Sequence, residues 1–153
     1  VIAPTRELAL QIHVECERYG GPAGASAVCV YGGAPMGEQK QALTKAAQKK
    51  IGAGSIGLVI VATPGRLCDL MKQGALRLGG CRHMVLDEAD RMLDMGFEPQ
   101  LKEIFAELPP PQVGGVDDGH GRQTLLFTAT WPKAVRKIAE SFLASEEAWS
   151  WSR

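Results

Sequence analysis

Apolar positions along this chain follow two periods that take turns. Short unbroken apolar runs, each closed by Gly, Pro, Thr or an acid, read as buried strands; between them apolar residues recur three or four positions apart, as on one helix face. Residues 1–3 read as the end of a strand that Pro4 closes. Thr5 is then an N-cap for a helix carrying Leu8, Ile12 and Cys16, which Gly20 and Gly21 stop. A second strand covers residues 27–31 and runs into Gly32 and Gly33, and the Gln-, Lys- and Ala-rich stretch 36–50 reads as an exposed helix. A third strand, 58–61, leads to Thr63 and Pro64, sound helix-start chemistry for the segment carrying Leu67, Leu70 and Met71. The fourth strand, 83–86, precedes a short helix with Met92, Leu93, Met95 and Phe97 that breaks at Gly96. A further helix, 99–108, turns Leu101, Ile104, Phe105 and Leu108 inward, and the Pro-, Gly- and Asp-rich stretch 109–123 is a surface loop. Strand 124–127 and a final helix from Pro132 to Leu143, with Val135, Ile138, Ala139 and Phe142, complete the series. Five strands alternating with helices predict an α/β fold with a mostly parallel sheet and right-handed crossovers. Residues 1–144 form the domain; the tail 145–153, with Trp149 and Trp151, has no clear period.

Composition adds bounds. At 153 residues the chain is the size of one domain, and 45% hydrophobic with 22% charged residues is ordinary for a soluble globular protein. No apolar run approaches membrane-spanning length, so no membrane partner is expected. The start, Val1 Ile2 Ala3 Pro4, lacks the basic segment and cleavage site of a signal peptide and reads as cut from something longer. Cys16, Cys29, Cys68 and Cys81 form no CxxC pair and no zinc pattern, which favours reduced thiols in an intracellular protein; His13 and Cys16 share a helix face incidentally. Net charge is zero, yet residues 1–75 carry +3 and the remainder −3. That asymmetry permits a basic surface on the first half.

The stretch with most chemistry is His83 Met84 Val85 Leu86 Asp87 Glu88 Ala89 Asp90. An apolar strand that stops on acids delivers them to the carboxyl edge of a parallel sheet, where such sheets bind ligands. Mg²⁺ keeps most of its waters and bridges nucleotide phosphates, so one carboxylate, Asp87, suffices to hold it through water. Glu88 is the candidate to orient or deprotonate an attacking water. The plain alternative is a set of acids favoured by a helix N-terminal dipole. Thr128 and Thr130, after the last strand, can reach a carboxylate at a neighbouring strand end. Free amides after Thr63 and Pro64, with Gly65 and Arg66, make a phosphate site or simply a well-capped helix. Gly32 and Gly33 allow a ligand or another backbone to approach, or form a tight turn. The literal GxGxxG at 52–57 precedes a strand instead of following one, and is assigned to a turn.

Taken together, Pro4 Thr5 Arg6 Glu7 Leu8 Ala9, Gly32 Gly33, Thr63 Pro64 Gly65 Arg66, Asp87 Glu88 Ala89 Asp90 and Thr128 Ala129 Thr130 resemble, in order and spacing, five motifs of the DEAD-box ATP-dependent RNA helicases. The wording around residues 95–100 and 127–133 is similar to the p68-like branch. The resemblance covers Val1 to about Leu143 and implies a RecA-like fold of the P-loop NTPase type, truncated at its N-terminus. It implies ATP and Mg²⁺ as cofactors, with Asp87 on the metal through water and Glu88 on the hydrolytic water. Asp90 would bond Thr128 and Thr130 and link nucleotide state to RNA grip. Pro4, Thr5, Arg6, Gly32, Gly33, Thr63, Pro64, Gly65 and Arg66 would line the path of a single-stranded RNA or short duplex, on backbone contacts that carry little sequence information. An intracellular location follows, the nucleus favoured over the cytoplasm. Two departures stand out: Thr128 replaces the usual Ser and keeps the hydroxyl, and the tail leaves the family pattern. No GxxxxGK[ST] occurs. The chain alone is therefore expected to lack the phosphate loop and the second domain and not to turn over ATP. Its rival is a natural short module that binds RNA or a protein without catalysis. An unrelated α/β nucleotide hydrolase would require the ordered RNA-side motifs to be coincidence.

Overall fold

The computed structural model describes residues 1–48, 57–112 and 121–142. The chain divides into two compact units, Val1–Leu76 and Arg77–Arg153.

In the first unit Thr5 is extended (φ −125°, ψ 156°), and its hydroxyl accepts the Leu8 N–H at 3.3 Å, which starts helix α1, Arg6–Glu15. Glu7 in the first turn suits the helix dipole. The chain then widens into one turn of π-helix, Cys16–Gly20, before Gly21 ends it, so the expected stop holds but the wider turn was not foreseen. Strand β1, Ala25–Val30, pairs in parallel with β2, Gly57–Ala62, in the register Ala25↔Gly57 to Val30↔Ala62. It starts and ends slightly before the expected 27–31. The chain start adds a parallel bridge, Ile2↔Ala62, with Ala3 N–H on the Ala62 carbonyl at 3.0 Å. Ala3, Ala9 and Val61 form a buried cluster against which Leu8, Ile12, Cys16 and Val59 pack. Small residues at positions 3 and 9 let the helix approach the strands closely.

Helix α2, Met36–Gln48, lies between the two strands in sequence, and α3, Pro64–Lys72, follows β2. The expectation of an exposed helix at 36–50 is corrected in one respect: α2 buries Gln39 and Leu43. Lys49, Lys50 and positions 51–56, where a glycine-rich turn is expected, lie outside the described residues.

In the second unit β3, His83–Leu86, pairs in parallel with β4, Gln123–Leu126, from His83↔Gln123 to Leu86↔Leu126. Helix α4, Ala89–Asp94, ends where Gly96 takes φ 78° and Phe97 N–H returns to the Met92 carbonyl at 3.0 Å. Pro99 then opens helix α5, Glu98–Ala106, and α6 spans Lys133–Phe142. The core joins Met84, Leu86, Met92, Leu101, Ile104, Val135 and Ile138, all at most 4% exposed. Phe105 and Phe142 stack with centroids 3.9 Å apart. The loop expected at 109–123 is pinned rather than wholly superficial, because Pro111 bridges Arg122 and Arg122 is buried. Leu143, the tail and positions 113–120 lie outside the described residues.

Among the described residues all strand pairs are parallel, as the strand–helix alternation predicts. Among the described residues the strands number four plus the Ile2 bridge, the first expected strand being reduced to that bridge. No helix among the described residues is long and apolar enough to cross a membrane.

Candidate functional site

In the second unit β3 ends on the acidic run. Asp87 Oδ1 accepts the Glu88 N–H at 3.0 Å, and Glu88 adopts left-handed backbone angles (φ 51°, ψ 51°). It is the one non-glycine residue with positive φ among the described residues. This geometry turns the chain from strand into α4 and costs about 1–3 kcal/mol, a kind of strain that concentrates at functional sites. Arg91 Nη1 lies 3.1 Å from Glu88 Oε2, an exposed pair that leaves the carboxylate solvated. Ala89 N–H donates to the Phe127 carbonyl at 3.1 Å, and Phe127 N–H to the Leu86 carbonyl at 2.8 Å, so the acidic turn and the end of β4 are knitted together.

Asp90 completes that junction. Its Oδ2 accepts from the Thr130 hydroxyl at 2.6 Å and the Thr130 N–H at 3.0 Å, while Oδ1 accepts the Arg91 N–H at 3.0 Å. The Thr130 hydroxyl above all, then the Arg91 amide, holds the Asp90 carboxyl below its ordinary value. Thr128 bonds Asp90 as well, at its backbone amide. Its hydroxyl accepts the Asp90 backbone N–H at 3.3 Å and donates to the Thr130 carbonyl at 2.8 Å. β4 ends at Leu126, so the two threonines converge beyond the strand, where the backbone bends at Ala129.

A metal must be held by what is there. Among the described residues no group of three or more His, Cys, Asp or Glu could hold one, His13 and Cys16 included. A single carboxylate at the strand end fits an ion such as Mg²⁺ that retains its waters, and does not fit a fully protein-ligated ion.

The first unit gathers the other motifs. Arg6 places its guanidinium over the Tyr31 ring, 4.7 Å from the ring centroid. Gly33 has φ 81°, and a Cβ at Gly32, Gly33 or Gly65 would meet nothing within 4 Å. The turn is therefore open on its outer side. Thr63 occupies the N-cap position of α3, but its hydroxyl makes no cap bond and instead accepts the Gly32 N–H at 3.4 Å. Arg66 donates from Nη1 and Nη2 to the Ala34 carbonyl, both at 3.0 Å, and from Nη1 to Gln39 Oε1 at 2.8 Å. Its Nε is buried without a partner. Pro4 and Pro64 are buried, whereas Arg6, Gly32 and Gly33 are exposed. Gln39 and Tyr31 were missed from sequence, for a lone Gln on a polar helix carries no local signal of burial.

Compared with known families, residues 1–138 match the family model described as DEAD/DEAH box helicase. The chain belongs to that family. The chain is 44% identical, over 95% of its length, to the ATP-dependent RNA helicase dbp3 of Aspergillus terreus, of which it covers 25%. It is 48% identical to the DEAD-box ATP-dependent RNA helicase 40 of Oryza sativa subsp. japonica and 46% to the probable ATP-dependent RNA helicase ddx17 of Dictyostelium discoideum, covering 94% of this chain and 16% of each relative. The yeast DEAD-box splicing factor Prp28 superposes with TM-score 0.74 at 31% identity, over 94% of this chain and 30% of that one. The fold is the RecA-like α/β arrangement of that family, and the chain spans about a quarter or less of its curated relatives' length.

Proposed function

We propose that these residues are part of the first RecA-like domain of an ATP-dependent RNA helicase, and that the parent protein couples ATP hydrolysis to RNA clamping and strand separation. The observation that carries this is the junction at the ends of β3 and β4. A strained Glu88 stands beside Asp87, and Asp90 is tied by both its carboxylate and its amide to Thr130 and Thr128.

In this reading Asp87 would hold Mg²⁺ through water, and the ion, bound with ATP, would supply charge neutralisation at the phosphates. Glu88, free toward solvent apart from an exposed ion pair, accepts a proton from the attacking water. Asp90, Thr128 and Thr130 transmit the state of that edge. Thr5, Arg6, Gly32, Gly33, Thr63, Gly65 and Arg66 serve a single-stranded RNA or short duplex, with Pro4 and Pro64 shaping the backbone beneath. Names of the relatives agree with RNA and ATP as ligands. An intracellular setting, nucleus or cytoplasm with the nucleus slightly favoured, is part of the same proposal.

A second reading rests on the sequence having no GxxxxGK[ST]. In it these residues alone bind RNA or a protein partner without turning over ATP. The test is RNA-stimulated ATPase activity in the full-length parent and in the present chain. The parent should hydrolyse ATP and lose about 10²- to 10⁴-fold in Glu88→Gln, the usual worth of a general base. Undiminished hydrolysis in Glu88→Gln removes Glu88 from its role. Hydrolysis by the present chain alone contradicts the second reading.

A further inference from the structure

Among the described residues the buried polar side chains are Gln39, 7% exposed, and Arg122. Gln39 sits on α2, whose composition otherwise suits a solvated face. A buried amide is tolerated only when bonded, and Gln39 is bonded at both ends. Its Nε2 donates to the Tyr31 carbonyl at 3.0 Å, and its Oε1 accepts from Arg66 Nη1 at 2.8 Å. Arg66 in turn grips the Ala34 carbonyl with both terminal nitrogens. The carbonyls on either side of Gly32 and Gly33 are thus held by two side chains that are joined to each other. Only a side chain with both a donor and an acceptor at this reach satisfies the pair; a carboxylate would serve Arg66 and leave Tyr31 unmet.

The clamp works from inside. Its outer side is bare backbone, since a Cβ at Gly32 or Gly33 would meet nothing within 4 Å. Arg66, meanwhile, commits three of the four N–H groups on its terminal nitrogens to the Ala34 carbonyl and Gln39.

We propose that Gln39 is a positioning residue for RNA binding, which fixes the Gly32–Gly33 turn through the Tyr31 carbonyl and Arg66 so that the turn's backbone meets the RNA sugar-phosphate chain. Arg66 acts through the turn and not as a free cation on a phosphate. This rests on the RNA reading of the preceding subsection and assigns it a residue outside the five motifs.

The experiment measures binding of a short oligouridine to the full-length parent over a salt series, with ATP affinity and melting temperature followed in parallel. Gln39→Met should weaken RNA binding about tenfold or more at every salt concentration. The slope of log affinity against log salt and the ATP affinity should stay at the wild-type values. Gln39→Glu, which keeps the acceptor for Arg66, should recover part of the loss, and it carries the test if Gln39→Met does not fold. Arg66→Ala should likewise leave the slope unchanged. A slope reduced by about 0.7 in Arg66→Ala, the worth of one phosphate contact on a single strand, overturns the clamp. So does wild-type affinity in Gln39→Met or in Gln39→Glu. Wild-type protein that binds no oligouridine overturns the RNA reading itself and this inference with it.

Discussion

Glu88 bears two opposed demands, and single substitutions separate them. Its left-handed backbone is unfavourable for any side chain but suits glycine. Glu88→Gly should therefore stabilise the fold by roughly 0.5–1 kcal/mol in urea melts while removing the group assigned to the water. Loss of stability would mean that the exposed Arg91 contact outweighs the strain, contrary to the small worth of such pairs. Asp90 gives a pH prediction. Because its folded carboxyl lies below the ordinary value of 3.8, its contribution to stability is present above that pH and is lost as pH falls through the lowered folded value. Stability of the wild type minus that of Asp90→Asn should hence be constant from neutral pH to about 4 and shrink below it. A difference that grows on acidification would contradict the assigned bonds. Cys29 supplies a chemical check: burial, with Cys16 nearby, pushes its thiol up to about 11, so it should alkylate more slowly at pH 8 than a free peptide cysteine.

At the scale of elements, local signals carried most of the fold. Thr5 before Arg6, Pro64 after Thr63 and Gly96 after Met95 all mark true helix boundaries, because capping chemistry is contained within a few residues. What stayed hidden depends on partners far along the chain. The Thr63 hydroxyl bonds an amide 31 residues away in place of its own helix, and nothing in Thr63 Pro64 Gly65 Arg66 announces that. Gln39 and Arg122 are polar residues inside, legible only once their carbonyl partners are placed. Arg122 is the clearer case. Burial lowers its pKa, yet its nitrogens bond Thr124 Oγ1 at 2.8 Å and the carbonyls of Pro109 and Phe142 at 2.6 and 2.9 Å, over the Phe105 ring. The start of β4, the loop before it and the end of α6 thus share one side chain. Phe105→Ala removes both the stack on Phe142 and the surface under Arg122, and should destabilise by about 3–5 kcal/mol in chemical denaturation. A cost below about 1 kcal/mol would show that this corner does not support the unit.

At the scale of the molecule, the two units hold different parts of one proposed task. Val1–Leu76 carries the residues assigned to RNA, and Arg77–Arg153 carries those assigned to the nucleotide edge. Coupling between two ligands is a reciprocal free energy, commonly a 5- to 150-fold change in affinity, or about 1–3 kcal/mol. The Asp90–Thr130 bonds are the structural feature assigned to it here. The most direct measurement is the affinity of the full-length parent for a short single-stranded RNA, with and without a non-hydrolysable ATP analogue, in wild type and in Thr130→Val. Coupling through these bonds predicts that the analogue tightens RNA binding of the wild type at least about fivefold. In Thr130→Val that ratio should fall toward one while the affinity without nucleotide is kept. An undiminished ratio in Thr130→Val, or none in the wild type, would contradict it.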